Sequence, residues 1–307
     1  MKTYITIDGG TTNTRLNLVI GRNIKRTIKL NVGAKKGIES RDILKQEINK
    51  AVSALCAGVK IDRIIASGMI TSEFGLYNLP HIPAPAGIRE LHNGIHEIVI
   101  KDICDTPIVF IPGVIISDGT LAGTDMMRGE ETELFGLSSN PACNCLYILP
   151  GSHSKIIRMD NLGRIASFIT TLTGEMVYAA ANDTILKDAV DISQNKIDDN
   201  YLIIGYNYCE QNGLNESLFK VRILKNIFSA DLTAAYSFFI GAILHDEVKR
   251  TISFKEKKIV IGGKKQLKDA MVKLYKYFSD KSVECVSDSC VDIAPSLGAV
   301  KIYEKDI

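Results

Sequence analysis

The 307-residue chain has no excess of either charge: 37 Lys and Arg stand against 35 Asp and Glu, a net of +2 with histidine neutral. No basic field recommends a nucleic-acid partner, and no acidic tail argues for a solvated appendage. Tryptophan is absent, there is no low-complexity segment, and no apolar run approaches the ~20 residues that a spanning helix requires, so no membrane role is expected. The first residues enter a strand pattern at once, without the apolar core of a signal peptide, and a cytoplasmic location is expected. Seven cysteines form an odd, scattered set that reads as reduced thiols. The C-x-C at Cys143 and Cys145 lacks the second pair that a zinc site takes. Function must therefore reside in a local site.

What is present is one pattern met twice. Lys2–Ile7, Arg15–Ile20 and Ile24–Val32 read as three consecutive strands with short turns. Ser40 caps a helix with apolar residues at Ile43, Leu44, Ile48, Ala51, Val52 and Leu55, and Gly58 ends it. Ile61–Ala66 and Ile108–Ile111 read as buried strands, and Asp125–Leu137 as helical. The pattern restarts at Cys145–Leu149, Lys155–Met159 and Arg164–Thr170, followed by helices near Thr173, at Tyr201–Gln211, Leu218–Phe228 and Asp231–Arg250. Lys258–Ile261, the helix Gln266–Phe278, the strand Val283–Val286 and the helix Ile293–Glu304 complete the chain. The turn residues of Ser138–Asn144 mark the boundary between the halves.

The first strand ends on Asp8 and runs into Gly9-Gly10-Thr11-Thr12-Asn13. Glycines admit close backbone approach, and small hydroxyl and amide donors follow, which suits a phosphate with a divalent metal near Asp8. A tight hairpin turn is the alternative. In the second half Pro150-Gly151-Ser152 ends the corresponding strand, and Lys155 either neutralises ligand charge or points out from the next strand. Thr173-Gly174-Glu175 either offers free helix N–H groups to phosphate or ribose, or caps the helix. Gly262-Gly263 follows an apolar strand, so a nucleoside can lie against its backbone; an ordinary strand-to-helix turn is the alternative. Arg128 is a natural bidentate partner for a substrate carboxylate, or else pairs with Glu131 along a helix. Glu130 reads as a group near a substrate hydroxyl. His92 and His96, four apart, make a weak metal motif without acidic neighbours, and the proline-rich Leu79–Gly87 is either a stiff wall over an acceptor pocket or a plain edge loop.

IDGGTTNTRL resembles the first phosphate loop of the sugar kinase, heat-shock protein 70 and actin superfamily. MMRGEETELFGL (Met126–Leu137), LPGSHSK (Leu149–Lys155) and TLTGE (Thr171–Glu175) resemble, more specifically, the 2-dehydro-3-deoxygalactonokinase family. Family members commonly carry tryptophan where this chain has Gly9 and Ile156, and Gly-Thr-Ser where it has Gly262-Gly263-Lys264. The resemblance implies an α/β fold of two ribonuclease H-like domains, duplicated βββαβα units around a nucleotide cleft. Residues 1–137 would carry the acceptor groups, 138–292 the nucleotide, and 293–307 a helix packing back near the domain interface. It implies ATP and Mg²⁺ and phosphorylation of the C6 hydroxyl of a 2-keto-3-deoxy sugar acid. It places the general base at Asp125, with Asp118 as the fallback, and the nucleotide against Asp8, Gly10, Thr11, Thr12, Asn13, Gly151, Ser152, Lys155, Gly174, Gly262 and Gly263. A kinase for another sugar acid, and an actin- or chaperone-like ATP switch without acceptor, are the alternatives. Oligomeric state is left open, a homodimer included.

Overall fold

The computed structural model describes residues 1–138, 145–263 and 265–305. Most of the expected boundary Ser138–Asn144, Cys143 of the C-x-C pair, and Lys264 lie outside the described residues. The chain divides into two units, Met1–Cys143 with Met159–Phe168 and Ser289–Ile307, and Asn144–Arg158 with Ile169–Asp288. The units are thus interleaved in sequence, where consecutive segments were expected, and most of the closing helix groups with the first unit.

In the first unit β1 (Thr3–Gly9), β2 (Thr14–Ile20) and β3 (Asn23–Leu30) form the expected meander. A short α1 (Ala34–Glu39) precedes α2 (Arg41–Cys56). The helix α2 starts where Ser40 Oγ accepts from the Ile43 N–H, buries Leu44, Ile48, Ala51, Val52 and Leu55, and stops before Gly58. This stripe covers the sheet and builds a core with Ile5, Ile7, Leu16, Ile64 and Phe110. The strand β4 (Arg63–Gly68) runs parallel to β1, and after the two-residue β5 (Ile82–Pro83) and α3 (Ile88–Asn93) come β6 (His96–Ile98) and β7 (Ile108–Phe110). The sheet order is β3-β2-β1-β4-β7-β6. A second, three-stranded sheet, β5-β8-β9, is made with β8 (Val114–Ile116) and β9 (Asp125–Met127). The helix α4 (Glu130–Leu137) follows.

The helix expected over Asp125–Leu137 is therefore a strand and then a helix. Gly129 has φ +114°, a conformation that ends β9 and turns the chain into α4 without letting one helix run through. His92 and His96 fall on α3 and β6, not on one helical face, and their Nδ1 atoms meet the Ile302 carbonyl and the Tyr77 hydroxyl.

In the second unit β10 (Cys145–Leu149) and β11 (Ser154–Met159), continued by β12 (Ile165–Thr171), which starts among the residues grouped with the first unit, lead into α5 (Thr173–Asn182), α6 (Asp199–Asn212), α7 (Leu214–Asn226) and the 21-residue α8 (Leu232–Ile252). Then come β13 (Lys258–Ile261), α9 (Lys265–Phe278) and β14 (Ser282–Cys285), before α10 (Asp288–Glu304), most of which belongs to the first unit. The sheet order β12-β11-β10-β13-β14 repeats, strand for strand, the first five positions of the other sheet. In the first, two antiparallel pairings are followed by two parallel ones, and in the second the β10–β11 pairing is antiparallel and the β10–β13 and β13–β14 pairings are parallel. That shared order is the duplication expected from the sequence. Among the described residues no helix is long and apolar enough to cross a membrane.

Candidate functional site

The first unit builds its candidate site at the end of β1. Asp8 pairs in register with Arg15 of β2 and Ser67 of β4, so the sheet itself fixes its backbone. The turn beyond is closed by the Gly10 N–H donating to the Asn13 carbonyl at 2.8 Å. Its carbonyls are also taken from below: Ala34 N–H donates to Gly10 O at 3.0 Å and Lys35 N–H to Thr11 O at 2.8 Å. Gly10, Thr11, Thr12 and Asn13 are exposed. With its oxygens turned inward, the loop leaves hydroxyl and amide groups outward, which suits an anion.

The Asp8 carboxylate makes no hydrogen bond with any described residue. It is enclosed by protein on most sides while a part stays open to solvent. Burial pushes its pKa up, the Arg15 guanidinium pulls it back, and Glu130 pushes it up again. An enclosed carboxylate without a donor, beside a loop of outward hydroxyls, suits a hard cation bound partly through water. No group of three or more His, Cys, Asp or Glu capable of holding a metal occurs among the described residues. A cation here would need oxygens from its ligand.

Glu130 reaches Asp8 through a backbone stack. A Cβ on Gly129 would sit 3.1 Å from the Gly68 Cα, and one on Gly68 would sit 2.5 Å from the Gly9 carbonyl oxygen. Only residues without side chains allow three segments to meet so closely, and the meeting brings the R-G-E-E run beside Asp8. Glu130 Oε2 accepts from the Arg128 N–H at 3.0 Å. Arg128 itself is committed to the loop after β4. Nη1 donates to the Thr71 carbonyl and hydroxyl at 2.8 and 2.6 Å, and Nη2 to the Leu79 carbonyl at 2.8 Å and to His81 Nδ1 at 3.1 Å. This is neither the intrahelical pair nor the free fork that its spacing suggested. Asp125 opens β9 opposite Ile116, and its Oδ1 accepts from the Met126 N–H at 2.7 Å. Asp118 spends Oδ1 on the Thr120 N–H and hydroxyl, and these bonds hold its carboxyl below the usual range, which makes it a poorer base.

The sequence offers Glu131 only as one carboxylate of the run and as an intrahelical partner for Arg128, not as a buried group. It is fully buried, takes the Gly129 N–H on both oxygens at 2.8 Å, and has its pKa raised to about 8, first by burial and then by Glu130. The unfolded chain binds no proton at this residue above about pH 5, whereas the folded chain keeps one up to about pH 8, so stability falls as pH rises across that window. Glu131→Gln should therefore melt a few degrees above wild type at pH 8, with the gap closing towards pH 5. Melting curves at the two values check this, and an equal offset at both would contradict the assignment.

In the second unit β10 ends at Pro150-Gly151-Ser152, as expected. A cavity of about 470 Å³, within the range of small-molecule sites, is lined by Gly151, Ser152, Gly174, Glu175, Tyr178 and Leu267 among others. A Cβ on Gly174 would fall 2.2 Å from the Gly151 carbonyl oxygen, so the start of α5 rests directly on the loop. The Glu175 N–H donates to the Ser152 carbonyl at 3.2 Å, and His153 Nε2 lies 3.0 Å from Glu175 Oε1. Gly262 donates to the Ile148 carbonyl at 2.9 Å, and Gly263 with φ +69° packs on Pro150. Lys155 is buried on β11 opposite Leu149, so its charge is not on the open face of the loop.

Thr173 does not cap α5. Its hydroxyl and that of Thr171 both donate to Glu247 Oε2, at 2.5 and 2.9 Å, and Glu247 is buried in α8 with Oε1 enclosed and without a partner among the described residues. Burial raises the Glu247 pKa and the two threonine bonds lower it. Glu247 thus holds the T-L-T-G-E turn from beneath. The only trace of it in the sequence is an acidic residue inside a long apolar helix.

The family described as 2-keto-3-deoxy-galactonokinase matches residues 8–291. The chain is 25% identical over 257 residues to a 2-dehydro-3-deoxygalactonokinase from Escherichia coli strain K12, covering 80% of this chain and 79% of that protein. A crystal structure of a Sinorhizobium meliloti protein provisionally given the same enzyme name superposes with a TM-score of 0.80 at 23% identity, covering 98% of both chains. A ligand-bound xylulose kinase from Lactobacillus acidophilus superposes with a TM-score of 0.51 at 11% identity, covering 100% of this chain and 89% of its own.

Proposed function

The chain belongs to the 2-keto-3-deoxy-galactonokinase family and is a sugar kinase, and on that premise we propose that it transfers the γ-phosphoryl group of ATP to the C6 hydroxyl of 2-dehydro-3-deoxy-D-galactonate, giving the 6-phosphate. One observation carries the detailed reading: the R-G-E-E run meets the end of β1 through Gly68 and Gly129, beside a carboxylate that has no hydrogen-bond partner among the described residues. In this reading Thr11, Thr12 and Asn13 receive phosphate oxygens through their outward groups. Asp8 would hold Mg²⁺ in part through water, and the ion bound with ATP would neutralise charge on the phosphates. Gly151, Ser152 and the turn at Gly174 serve the nucleotide, with the adenosine side towards Gly262-Gly263, and Lys155 acts from within β11. Asp125 takes the proton from the acceptor hydroxyl as it attacks, and Glu130 keeps the chain around Arg128 in place. We place the reaction in the cytoplasm, where free thiols such as those of Cys56, Cys104 and Cys209 persist.

The test is coupled ADP release over a panel of 2-keto-3-deoxy sugar acids. The galactonate derivative should give the highest kcat/KM, with negligible release when no acid is added. A different hexonate or pentonate in first place would change the substrate while keeping the kinase. Release that is indifferent to every acid would leave an ATP-driven switch in its place.

A further inference from the structure

Glu247 of α8 has no part in the chemistry proposed for the kinase, yet it is only 4% exposed. Its two carboxyl oxygens are treated unequally. Oε2 accepts from the hydroxyls of Thr171 and Thr173, at 2.9 and 2.5 Å, while Oε1 is enclosed without a partner among the described residues. Among them no Lys, Arg or His stands within ion-pair distance of it. An ionised carboxyl here would hold its charge in the interior with one oxygen bare, an arrangement that proteins avoid. A neutral carboxyl fits. Oε2 is then the carbonyl oxygen, with two lone pairs for two hydroxyl donors, and Oε1 carries the proton. An unpaired O–H costs the interior far less than an unpaired charge.

The elements packed on α8 supply no charge that would change this. The strand β12 and helix α5 send the two threonines, and α7 buries only Ser217 and Val221. Glu210 of α6 is taken by His245 and Lys249, which stand two residues to either side of Glu247 and so about 160° round the helix. Tyr275 of α9 has its hydroxyl enclosed and without a partner among the described residues; its pKa is pushed up by burial first and then by any charge on Glu247. For Glu247 itself burial outweighs the two threonine bonds, and the net direction is upward.

What this carboxyl holds is a turn. Thr171 ends β12, Thr173 opens α5, and their hydroxyls lie 2.7 Å apart, so one oxygen ties strand end to helix start. The next residues rest on the loop after β10, Gly174 against the Gly151 carbonyl and the Glu175 N–H on that of Ser152. Those four residues line the cavity of about 470 Å³. We propose that Glu247 is a positioning residue for the nucleotide, its uncharged carboxyl fixing the turn that forms one wall of this cavity without touching the ligand. This rests on the kinase reading, which sets the nucleotide against Gly151, Ser152 and Gly174, and adds the buried group that fixes their spacing.

Three variants and one spectrum test it. Glu247→Gln keeps an sp² oxygen for the threonines and carries no charge. Glu247→Leu removes the acceptor, and Thr171→Val combined with Thr173→Val removes both donors. The KM for ATP should stay within about threefold of wild type in Glu247→Gln and rise about tenfold or more in the other two. The KM for 2-keto-3-deoxy-D-galactonate should stay within about twofold in all three. The infrared difference between wild type and Glu247→Gln near neutral pH should show the C=O stretch of a protonated carboxyl and no carboxylate bands, a signature that packing alone does not produce. If Glu247→Leu fails to fold, the valine variant reads the same contact. Carboxylate bands in that difference overturn the inference. So does a KM for ATP raised as much by Glu247→Gln as by the valine variant, or one left unchanged when the threonine hydroxyls are removed. A wild-type protein that binds no ATP at all would sink the kinase reading instead.

Discussion

Asp8→Asn is expected to abolish useful turnover, lowering kcat by roughly 10²–10³ or more, while the protein stays folded. The backbone of Asp8 is fixed by ladder pairs to Arg15 and Ser67 that the substitution leaves alone. Its carboxylate contributes no hydrogen bond among the described residues, and burial already disfavours its charge. The charge therefore costs the empty protein stability, and an amide of the same shape removes that cost, so the variant should melt no lower than wild type without ligand. What is lost is the charge that a cation needs. Thermal melts should show wild type stabilised by Mg²⁺ with ATP, and the variant stabilised much less. A variant with wild-type kcat would remove the metal role from Asp8.

The parts of this protein legible in its sequence are those carried by local pattern. Alternation over Lys2–Ile7 and Arg15–Ile20, with a glycine turn between, defines a hairpin whatever lies elsewhere, and it is found as β1 and β2. Ser40, the apolar stripe and Gly58 define α2 in the same way. The repeat of strand signals after Cys145 anticipated two sheets of one order. Asp125–Leu137 was misread because Met, Arg, Glu and Leu all favour helix. Nothing local shows that Gly129 takes a positive φ, or that the three residues before Arg128 pair with β8.

The misreading matters at the site. On a helix, Asp125 and Arg128 would share a face; on β9 and beyond it, Arg128 turns to Thr71, Leu79 and His81, partners 47 to 57 residues away in sequence. Such contacts have no signature in spacing. Glu247 under Thr171 and Thr173 is the same case in the second unit, 74 and 76 residues off. The two glycine-rich turns could be read because such turns announce themselves. The side chains that hold them could not, because long-range buried polar contacts are chosen by the fold.

Asp125→Asn is the second large effect expected. A carboxylate that takes the acceptor proton acts only as the hydroxyl attacks, so its loss should lower kcat by about 10²–10⁴ with little change in KM for either substrate. The variant should fold normally, since Asp125 enters the sheet through backbone pairing with Ile116 and an asparagine oxygen can still accept from the Met126 N–H. Two neighbouring carboxylates make the result informative. Asp118 is tied to Thr120 and held below the usual carboxylate range, and Glu130 is engaged by the Arg128 N–H while it faces the charge of Asp8. We propose Asp125 over both. Single-turnover phosphoryl transfer in Asp125→Asn, Asp118→Asn and Glu130→Gln should therefore be slowed most, and by at least tenfold more, in the first. If Asp125→Asn transfers at the wild-type rate while Glu130→Gln does not, the proton goes to the carboxylate beside Asp8, and the R-G-E-E run supplies the base as well as the scaffold.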